Sequence, residues 1–269
     1  MPDARRWLAG LMLRAPASVR ALREVPVLGK LVHSLSHRFV PRDQKVWAKI
    51  EAGPGKGLWV ELNPRTGQHY LRGECETQIQ NILAERLRPG MVFYDLGANI
   101  GMFSILAARL VGQAGRVISF EPDPETAARL RRNIVRNGFQ NVTVIQAGVG
   151  STTGTRTFSV ADALSPDHGV GKFAAEDLGG EKILVNCISL DDFVDDIDAP
   201  DAIKCDVEGA EVEVIRGAKK ILQKKRPWIV CELHSLANGE AVGDLLVQSG
   251  YHVESVDVSH VLALPNEEP

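Results

Sequence analysis

The chain has 269 residues, of which 44% are hydrophobic and 24% are charged, as in an ordinary globular protein that buries its own core. This length suits one large domain, or one domain with an extension. The formal net charge is −3 at pH 7, and a body without a large basic excess argues against a nucleic-acid substrate.

The four cysteines are far apart in the sequence and form no Cys-x-x-Cys pair, so a zinc knuckle is excluded. Three of them lie in apolar, strand-like runs. Buried, reduced thiols are therefore expected, and they indicate a cytoplasmic location. No apolar run is long enough to span a membrane.

Residues 1–44 are predicted to form a basic, helical N-terminal extension, broken at its prolines. The first apolar run ends after seven residues at Arg14 and Pro16, which is short for a secretory signal. A basic amphipathic helix is favoured instead. Two roles stay open for residues 1–40: a lid packed on the body, or peripheral contact with an acidic lipid surface or a protein partner.

Residues 45–269 form the predicted main domain, which opens with a β-hairpin over residues 45–62 around a Gly-Pro-Gly segment. A helix over residues 78–87 follows. Strands and helices then alternate, with strands at 91–96, 116–120 and 142–146 and helices at 101–111 and 124–137. Residues 151–190 interrupt this alternation as a small β insertion with strands at 155–160 and 183–188.

The alternation resumes after the insertion and continues to the end of the chain. The predicted elements are an acidic helix or turn at 191–196, strands at 202–207, 228–233, 251–257 and 261–264, and helices at 210–224 and 240–249. This order indicates a doubly wound, Rossmann-like α/β fold with a mostly parallel seven-stranded sheet. Ligands bind at the carboxyl ends of such strands, so the residues that follow each strand are the candidate site.

The loop from Asp95 to Gly101 joins the first of these strands to a helix, and Gly97 and Gly101 allow a tight turn close to a ligand. Glu121 ends the next strand, where a carboxylate can accept hydrogen bonds from both hydroxyls of a ribose. Together these features predict an adenosine-containing cofactor. A purely structural strand-turn-helix without a ligand is the alternative.

Two residues of the loop decide between cofactors. Asn99 replaces the middle glycine of a dinucleotide-binding loop, and Asp95 would repel a pyrophosphate. The same carboxylate suits the ammonium group of S-adenosylmethionine, which is the predicted cofactor, with a dinucleotide as the alternative. Further predicted cofactor contacts are Glu74, Thr77, Ala98, Pro122, Gln146 and Ala147.

The segment from Lys204 to Glu211 follows the fourth strand of the sheet and is the second candidate. Asp206 is predicted to orient the acceptor or the cofactor, and Glu208 to hold one of their polar groups. For Glu211 we favour a structural role, since an acidic side chain stabilises the N-terminus of the following helix.

Glu232 and His234 end the fifth strand and lie on the same side of it because side chains alternate along a strand. His234 is the predicted general base, since its unperturbed pKa lies near neutrality. A hydrogen-bonded structural pair is the alternative. Asp206, Glu232 and His234 are also ligand types that suit a divalent ion, but no metal is predicted.

At these residues the chain resembles the FkbM-type methyltransferases. The resemblance covers about two thirds of the chain and rests on residues 92–101, 120–124, 190–192, 204–211 and 226–227 followed by 232–234. It implies a class I methyltransferase fold, with cofactor contacts at Asp95, Gly97, Asn99, Gly101 and Glu121 and a reacting centre near Asp206 and Glu208. It also implies O-methylation of sugars, polyketides or related small molecules.

The expected function is therefore transfer of a methyl group from S-adenosylmethionine to a hydroxyl of a small molecule. The expected catalytic residues are Asp206, Glu208, Glu232 and His234. An N-methyltransferase and a non-catalytic module that docks a partner through its basic N-terminus are the alternatives. The oligomeric state stays open, with a homodimer as one arrangement.

Overall fold

The computed structural model describes residues 45–64, 66–160, 171–173, 181–194 and 199–267. Within these ranges the chain divides into two compact units, the first ending at Thr77 and the second beginning at Gln78. The predicted extension, residues 1–44, lies outside the described residues, so its boundary with the body stays a prediction. No helix in the described ranges is both long and apolar enough to cross a membrane.

The first unit is built on a hairpin. Strand β1 (Val46–Lys49) pairs antiparallel with β2 (Trp59–Leu62), and helix α1 (Gln68–Arg72) follows. The backbone N–H of Glu51 donates to the carbonyl of Leu71 at 2.8 Å. This bond ties the end of β1 to α1.

From residue 77 onward the chain alternates between helices and strands. The elements are, in order, α2 (Thr77–Arg86), β3 (Val92–Leu96), α3 (Met102–Val111), β4 (Arg116–Phe120), α4 (Pro124–Asn137), β5 (Val142–Ile145), β6 (Gly148–Val149), β7 (Gly154–Val160), β8 (Gly171–Phe173), β9 (Glu181–Ile188), α5 (Leu190–Phe193), β10 (Ala202–Cys205), α6 (Glu211–Arg216), α7 (Lys219–Lys224), β11 (Trp228–Glu232), α8 (Leu236–Gln248), β12 (Tyr251–Ser255) and β13 (His260–Pro265).

Seven strands form one mostly parallel sheet in the order β12-β13-β11-β10-β3-β4-β5. The pairs β11–β10, β10–β3, β3–β4 and β4–β5 are parallel, and β13 runs antiparallel to both of its neighbours. The predicted doubly wound α/β fold with seven strands is therefore confirmed. The strand order reverses between β3 and β10, which is where ligands bind in such sheets.

A second, four-stranded sheet has the order β6-β9-β7-β8. Strands β7 and β9 pair antiparallel over their whole length, from Gly154 opposite Cys187 to Val160 opposite Glu181. These are the strands expected within the β insertion. Strand β6 leaves the end of β5 and pairs with β9, so this sheet begins directly beside the carboxyl ends of the main sheet.

One predicted helix, residues 210–224, is wrong as a single element because it is divided into α6 and α7 at Gly217. A Cβ at Gly217 would overlap the carbonyl oxygen of Gly150. The carbonyl of Gly217 accepts from Asp191 N at 2.8 Å and from Ser189 Oγ at 3.1 Å. In a continuous helix the carbonyl of Gly217 would accept from a residue of the next turn. Here it accepts from the segment after β9 instead.

Among the other boundaries that differ from the prediction are the start of α8 and the end of β10. Helix α8 begins four residues earlier than expected, at Leu236, because the Ser235 hydroxyl caps it by accepting from Asn238 N at 3.1 Å. Strand β10 ends two residues earlier, at Cys205. Beyond it, Glu208 and Gly209 have φ angles of 54° and 98°, which turn the chain away from the sheet.

We expect Asp191→Ala to destabilise the protein by about 1 kcal/mol. The Asp191 carboxylate accepts from the backbone N–H groups of Lys220 at 2.9 Å and Ile221 at 3.2 Å, which are among the unpaired donors at the start of α7. Urea denaturation measures the change in the free energy of unfolding. The control is Asp244→Ala, at an exposed position of α8, and equal stability of the two variants would contradict the capping role.

Candidate active site

The loop after β3 lies directly against the end of β10. Gly97 has a φ of 74°, and a Cβ there would overlap the carbonyl oxygen of Asp206. Gly101 has a φ of 86°, and a Cβ there would overlap the side chain of Leu130 in α4. Only glycine combines a positive φ at low strain with the absence of a Cβ. Gly97 and Gly101 therefore allow the loop to pack closely against Asp206 and Leu130.

Glu121 follows β4, and its carboxylate is fixed by two backbone groups. Oε2 accepts from Asn99 N and Oε1 from Asp123 N, each at 2.9 Å. Its residue is 4% exposed, and this burial raises the pKa of Glu121 to about 8, against the opposing effect of the two hydrogen bonds. The carboxylate therefore links the loop after β3 to the loop after β4.

Asp95 lies inside the sheet, near the end of β3. It is fully buried in β3, and Oδ2 accepts from the Ser104 hydroxyl of α3 at 2.5 Å. The Ser104 hydroxyl in turn accepts from Ser119 Oγ at 2.8 Å. Asp95 is not among the residues that line the pocket described next, and its contact with a cofactor stays a prediction.

A pocket lies at the carboxyl ends of β3, β4 and β10 and brings seven predicted residues together. They are Gly97, Asn99, Glu121, Pro122, Ala147, Asp206 and Glu208. The other lining residues, which the sequence did not single out, are Phe120, Gly148, Val149, Phe158 and Val207. Since Phe158 belongs to β7, the second sheet contributes one wall.

Three further predicted contacts fall outside this lining. Ala98 donates its backbone N–H to Phe120 O at 2.9 Å, and Gly101 packs on α4. Gln146 is exposed, and its side-chain oxygen accepts from Arg131 Nη1 at 3.4 Å. These residues shape or flank the loops without facing the pocket.

Glu74 and Thr77 belong to the first unit. The Thr77 hydroxyl donates to the carbonyl of Glu74 at 3.4 Å, which is a local turn contact of the kind considered as their alternative role. Their contact with a cofactor stays a prediction.

Asp206 follows β10 and is paired with a buried lysine. The Lys204 ammonium is 3.0 Å from Asp206 Oδ2 and 4.9 Å from the centre of the Phe103 ring. Burial acts to raise the pKa of Asp206, but the charge and hydrogen bond of Lys204, together with His234, outweigh it and lower that pKa. Asp206 is therefore a carboxylate at neutral pH.

His234, just beyond β11, faces three carboxylates. Its Nδ1 is 2.8 Å from Glu211 Oε1, and its Nε2 is 3.3 Å from Glu208 Oε2 and 3.8 Å from Asp206 Oδ1. The hydrogen bond with Glu211 is the largest effect and raises the pKa of His234, although burial opposes it. The ring is thus a stronger base than an exposed histidine, and its Nε2 lies beside two residues of the pocket lining.

Glu211 is the residue that the sequence analysis assigned to a structural role and that the structure brings to His234. It is fully buried and also accepts from Gly209 N at 2.9 Å and Asn238 Nδ2 at 2.7 Å. Its pKa is lowered: burial alone would raise it, and the hydrogen bonds from His234 and Gly209 outweigh that effect. The signal available in the sequence was its place in the same segment as Asp206.

Glu232 ends β11 and lies near two histidines, His234 and His260. Its Oε2 is 3.8 Å from Nε2 of His260, whose Nδ1 is 2.9 Å from Asp257 Oδ1. Asp206, Glu232 and His234 each offer one ligand atom within 4.8 Å of the others. The grouping predicted from the strand ends is therefore formed, with Lys204 supplying a positive charge beside it.

Two non-glycine residues of the pocket lining hold a left-handed backbone. Asn99 has a φ of 49° and Glu208 a φ of 54°. Such conformations are uncommon outside glycine and concentrate at ligand sites. Asn99 belongs to the loop after β3 and Glu208 to the turn after β10, and both line the same pocket.

The geometry suits two tasks within one site. Glu121 and the glycine loop can hold a hydroxylated ribose, because a carboxylate offers about four acceptor positions and the protein uses two of them. His234 and the carboxylates beside it can orient a hydroxyl group and accept its proton.

Comparison with known proteins agrees with these tasks. The model of the Methyltransferase FkbM domain family matches residues 95–263. The 31-O-demethyl-FK506 methyltransferase FkbM of Streptomyces tacrolimicus is 32% identical over 236 residues, which cover 77% of this chain and 85% of that protein. The hexuronic acid methyltransferase AglP of Haloferax volcanii is 28% identical over 186 residues, 68% of this chain and 72% of that protein.

Among solved structures, an FkbM methyltransferase from Methylobacillus flagellatus KT has a TM-score of 0.49 and 20% sequence identity, and the match covers 73% of this chain and 52% of that one. The family match spans more than half of the chain and includes the loop after β3 and the segment after β10. The chain belongs to the FkbM methyltransferase family and is an S-adenosylmethionine-dependent methyltransferase.

Proposed function

We propose that this methyltransferase transfers the methyl group to a hydroxyl oxygen of a small molecule, such as a sugar or a polyketide. The observation that carries the proposal is the position of His234, whose Nε2 lies 3.3 Å from Glu208 in the wall of the pocket. A hydroxyl is a weak nucleophile and needs a base to take its proton. Two similar proteins are named as methyltransferases of 31-O-demethyl-FK506 and of a hexuronic acid.

The residues at the pocket fit the cofactor. We assign the ribose to Glu121, which has acceptor capacity beyond its two backbone hydrogen bonds. The absence of a side chain at Gly97 lets the loop after β3 lie against the carbonyl of Asp206, so both loops reach the same pocket. S-adenosylmethionine supplies a methyl carbon bonded to a positively charged sulfur, and the carboxylates of Asp206 and Glu208 favour that positive charge.

The protein's part in the reaction is then orientation and proton transfer. Asp206 and Glu208 would accept hydrogen bonds from other hydroxyls of the acceptor and so place its reacting hydroxyl beside Nε2 of His234. As the new carbon–oxygen bond forms, the hydroxyl proton passes to Nε2 of His234. Asp206 stays ionised throughout because of Lys204.

A non-catalytic cofactor-binding module and an N-methyltransferase are the competing functions. The first gives no task to the contacts of His234 Nε2 with Glu208 and Asp206 of the pocket lining. The second needs a site for an amine, and a base that deprotonates a hydroxyl has no necessary role there. For residues 1–40 we retain the proposal of contact with a lipid surface or a protein partner.

We expect the purified protein to methylate hydroxylated acceptors with radiolabelled S-adenosylmethionine. Screening of sugars and polyketides is followed by mass spectrometry and NMR, and the expected product carries one additional methyl group on oxygen. Activity should survive EDTA, because Lys204 already supplies a positive charge at Asp206. Methylation of a nitrogen would contradict the proposal, and loss of activity on chelation with recovery in Mg²⁺ would require a metal mechanism.

We expect binding of S-adenosylhomocysteine to release a proton near pH 7. Burial raises the pKa of Glu121 to about 8, and hydroxyl donors from a ribose favour its ionised form, so binding lowers that pKa and affinity rises with pH up to about 8. Calorimetry in buffers of different ionisation enthalpy counts the protons.

The comparison variants are Glu121→Gln and Asp123→Asn. The first removes the titrating carboxyl and should abolish the pH dependence together with much of the affinity. The second keeps the helix cap on Thr126 N and removes a charge that contributes less than burial to the raised pKa of Glu121, so most of the proton release should remain. If Glu121→Gln released as many protons as the wild type when S-adenosylhomocysteine binds, the assignment of the ribose to Glu121 would be refuted.

We expect His234→Gln to lower kcat by about 100-fold, the lower end of what general-base catalysis contributes, while the affinity for S-adenosylhomocysteine changes little. In the wild type, activity should rise with pH through the raised pKa of His234, since only the neutral ring accepts a proton. Steady-state kinetics with the acceptor from the screen measures both effects. His252→Gln, at an exposed position of β12, is the control, and an unchanged kcat in His234→Gln would rule out the base assignment.

A further inference from the structure

The side chain of Glu211 joins three segments that surround His234. It accepts from Nδ1 of His234 at 2.8 Å, from Gly209 N at 2.9 Å and from Asn238 Nδ2 at 2.7 Å. Asn238 also donates to the carbonyl of Gly209 at 3.1 Å. The carboxylate is thus bonded to the turn after β10, to the first turn of α8 and to the imidazole between them.

The burial of Glu211 distinguishes it from the other acids near the ring. Its side chain is fully buried, whereas those of Asp206 and Glu208 are 21% and 25% exposed. A buried carboxylate is retained only where charged or hydrogen-bonding partners compensate for lost hydration. His234 and Asn238 are those partners, so the carboxylate and the imidazole depend on each other.

The distances indicate which ring nitrogen keeps its proton. Nδ1 lies at hydrogen-bond distance from Glu211, while the contacts of Nε2 with Glu208 and Asp206 are longer, at 3.3 and 3.8 Å. A histidine that acts as a base must expose the lone pair of one nitrogen, and the hydrogen bond at the other nitrogen selects it. Here the shorter contact is that of Nδ1 with Glu211, which is not part of the pocket lining.

We propose that Glu211, held by Asn238, is a positioning residue that keeps a proton on Nδ1 of His234 and so leaves Nε2 as the atom that exchanges a proton with the acceptor. This inference rests on the proposed role of His234 as the base. Glu211 touches neither cofactor nor acceptor and acts through the imidazole. The charged groups around the ring are Glu211 of α6, Asp206 and Glu208 of the turn after β10, Lys204 of β10 beside Asp206, and Glu232 of β11.

The tautomer of His234 is measured on the wild-type protein. NMR of protein labelled with ¹⁵N-histidine, with the His234 signals assigned by their loss in His234→Gln, follows both ring nitrogens as pH rises. We expect the neutral ring to be protonated at Nδ1. A neutral ring protonated at Nε2 would overturn the proposal without any change at Glu211.

Variants of Glu211 test the consequence. In Glu211→Gln the charge that holds the imidazolium is lost, so the acidic limb of the pH–rate profile should move to lower pH and kcat should fall by about 100-fold. Glu211→Asp keeps the charge. It should have a higher kcat than Glu211→Gln and an acidic limb closer to that of the wild type. The control is Glu213→Gln, two residues further along α6, where the carboxylate is bonded to Ser151 and Arg216 instead. This change should leave kcat and the pH–rate profile as in the wild type.

Two readouts separate this proposal from the proposed function. Binding of S-adenosylhomocysteine and thermal unfolding show whether each variant is folded. If the tautomer is as expected but His234→Gln keeps its kcat, the role of His234 as base fails and the proton placement stands. If His234→Gln loses activity while Glu211→Gln retains the wild-type pH profile, the positioning role of Glu211 fails.

Discussion

The approach of the loop after β3 to the end of β10 is the contact on which the site depends. Gly97 lies so close to the carbonyl of Asp206 that no side chain fits between them. The two residues are far apart in sequence, but β3 and β10 are neighbours in the sheet, with Leu96 opposite Cys205. This adjacency places the loop after β3 and the carboxylates of Asp206 and Glu208 in the walls of one pocket, so the proposed binding and the proposed chemistry share a boundary.

Much of this could be predicted from the sequence because strand ends are marked locally. The run from Arg116 to Phe120 has the predicted bounds, and Glu121 follows it directly. In a doubly wound sheet the carboxyl ends of parallel strands share one edge, so Glu121, Asp206 and His234 were expected together. Periodicity and strand order suffice for that inference, because neither depends on how any single side chain is oriented.

Side-chain direction beyond a strand end was not predictable. Glu211 stands at a helix start, where an acid has a sufficient local explanation, and only the turn through Glu208 and Gly209 brings it inward to His234. Asp95 is a second case: its position near a strand end predicts a cofactor contact, and the sequence gives no sign that Ser104 of the following helix donates to it inside the fold. Likewise, helical periodicity across Gly217 contains no sign that the segment after β9 docks there.

The charges of the pocket follow from the same arrangement. Asp206, Glu208 and Glu211 surround His234, and Lys204 compensates only Asp206. Such a site favours a positively charged cofactor and disfavours an acceptor with a negative charge near the reacting oxygen. In the proposed reaction the cofactor would supply a positively charged sulfur, and the imidazole of His234 becomes positively charged when it takes the hydroxyl proton. The carboxylates are therefore compensated before and after methyl transfer, which explains why a histidine, and not a fourth acid, stands at their centre.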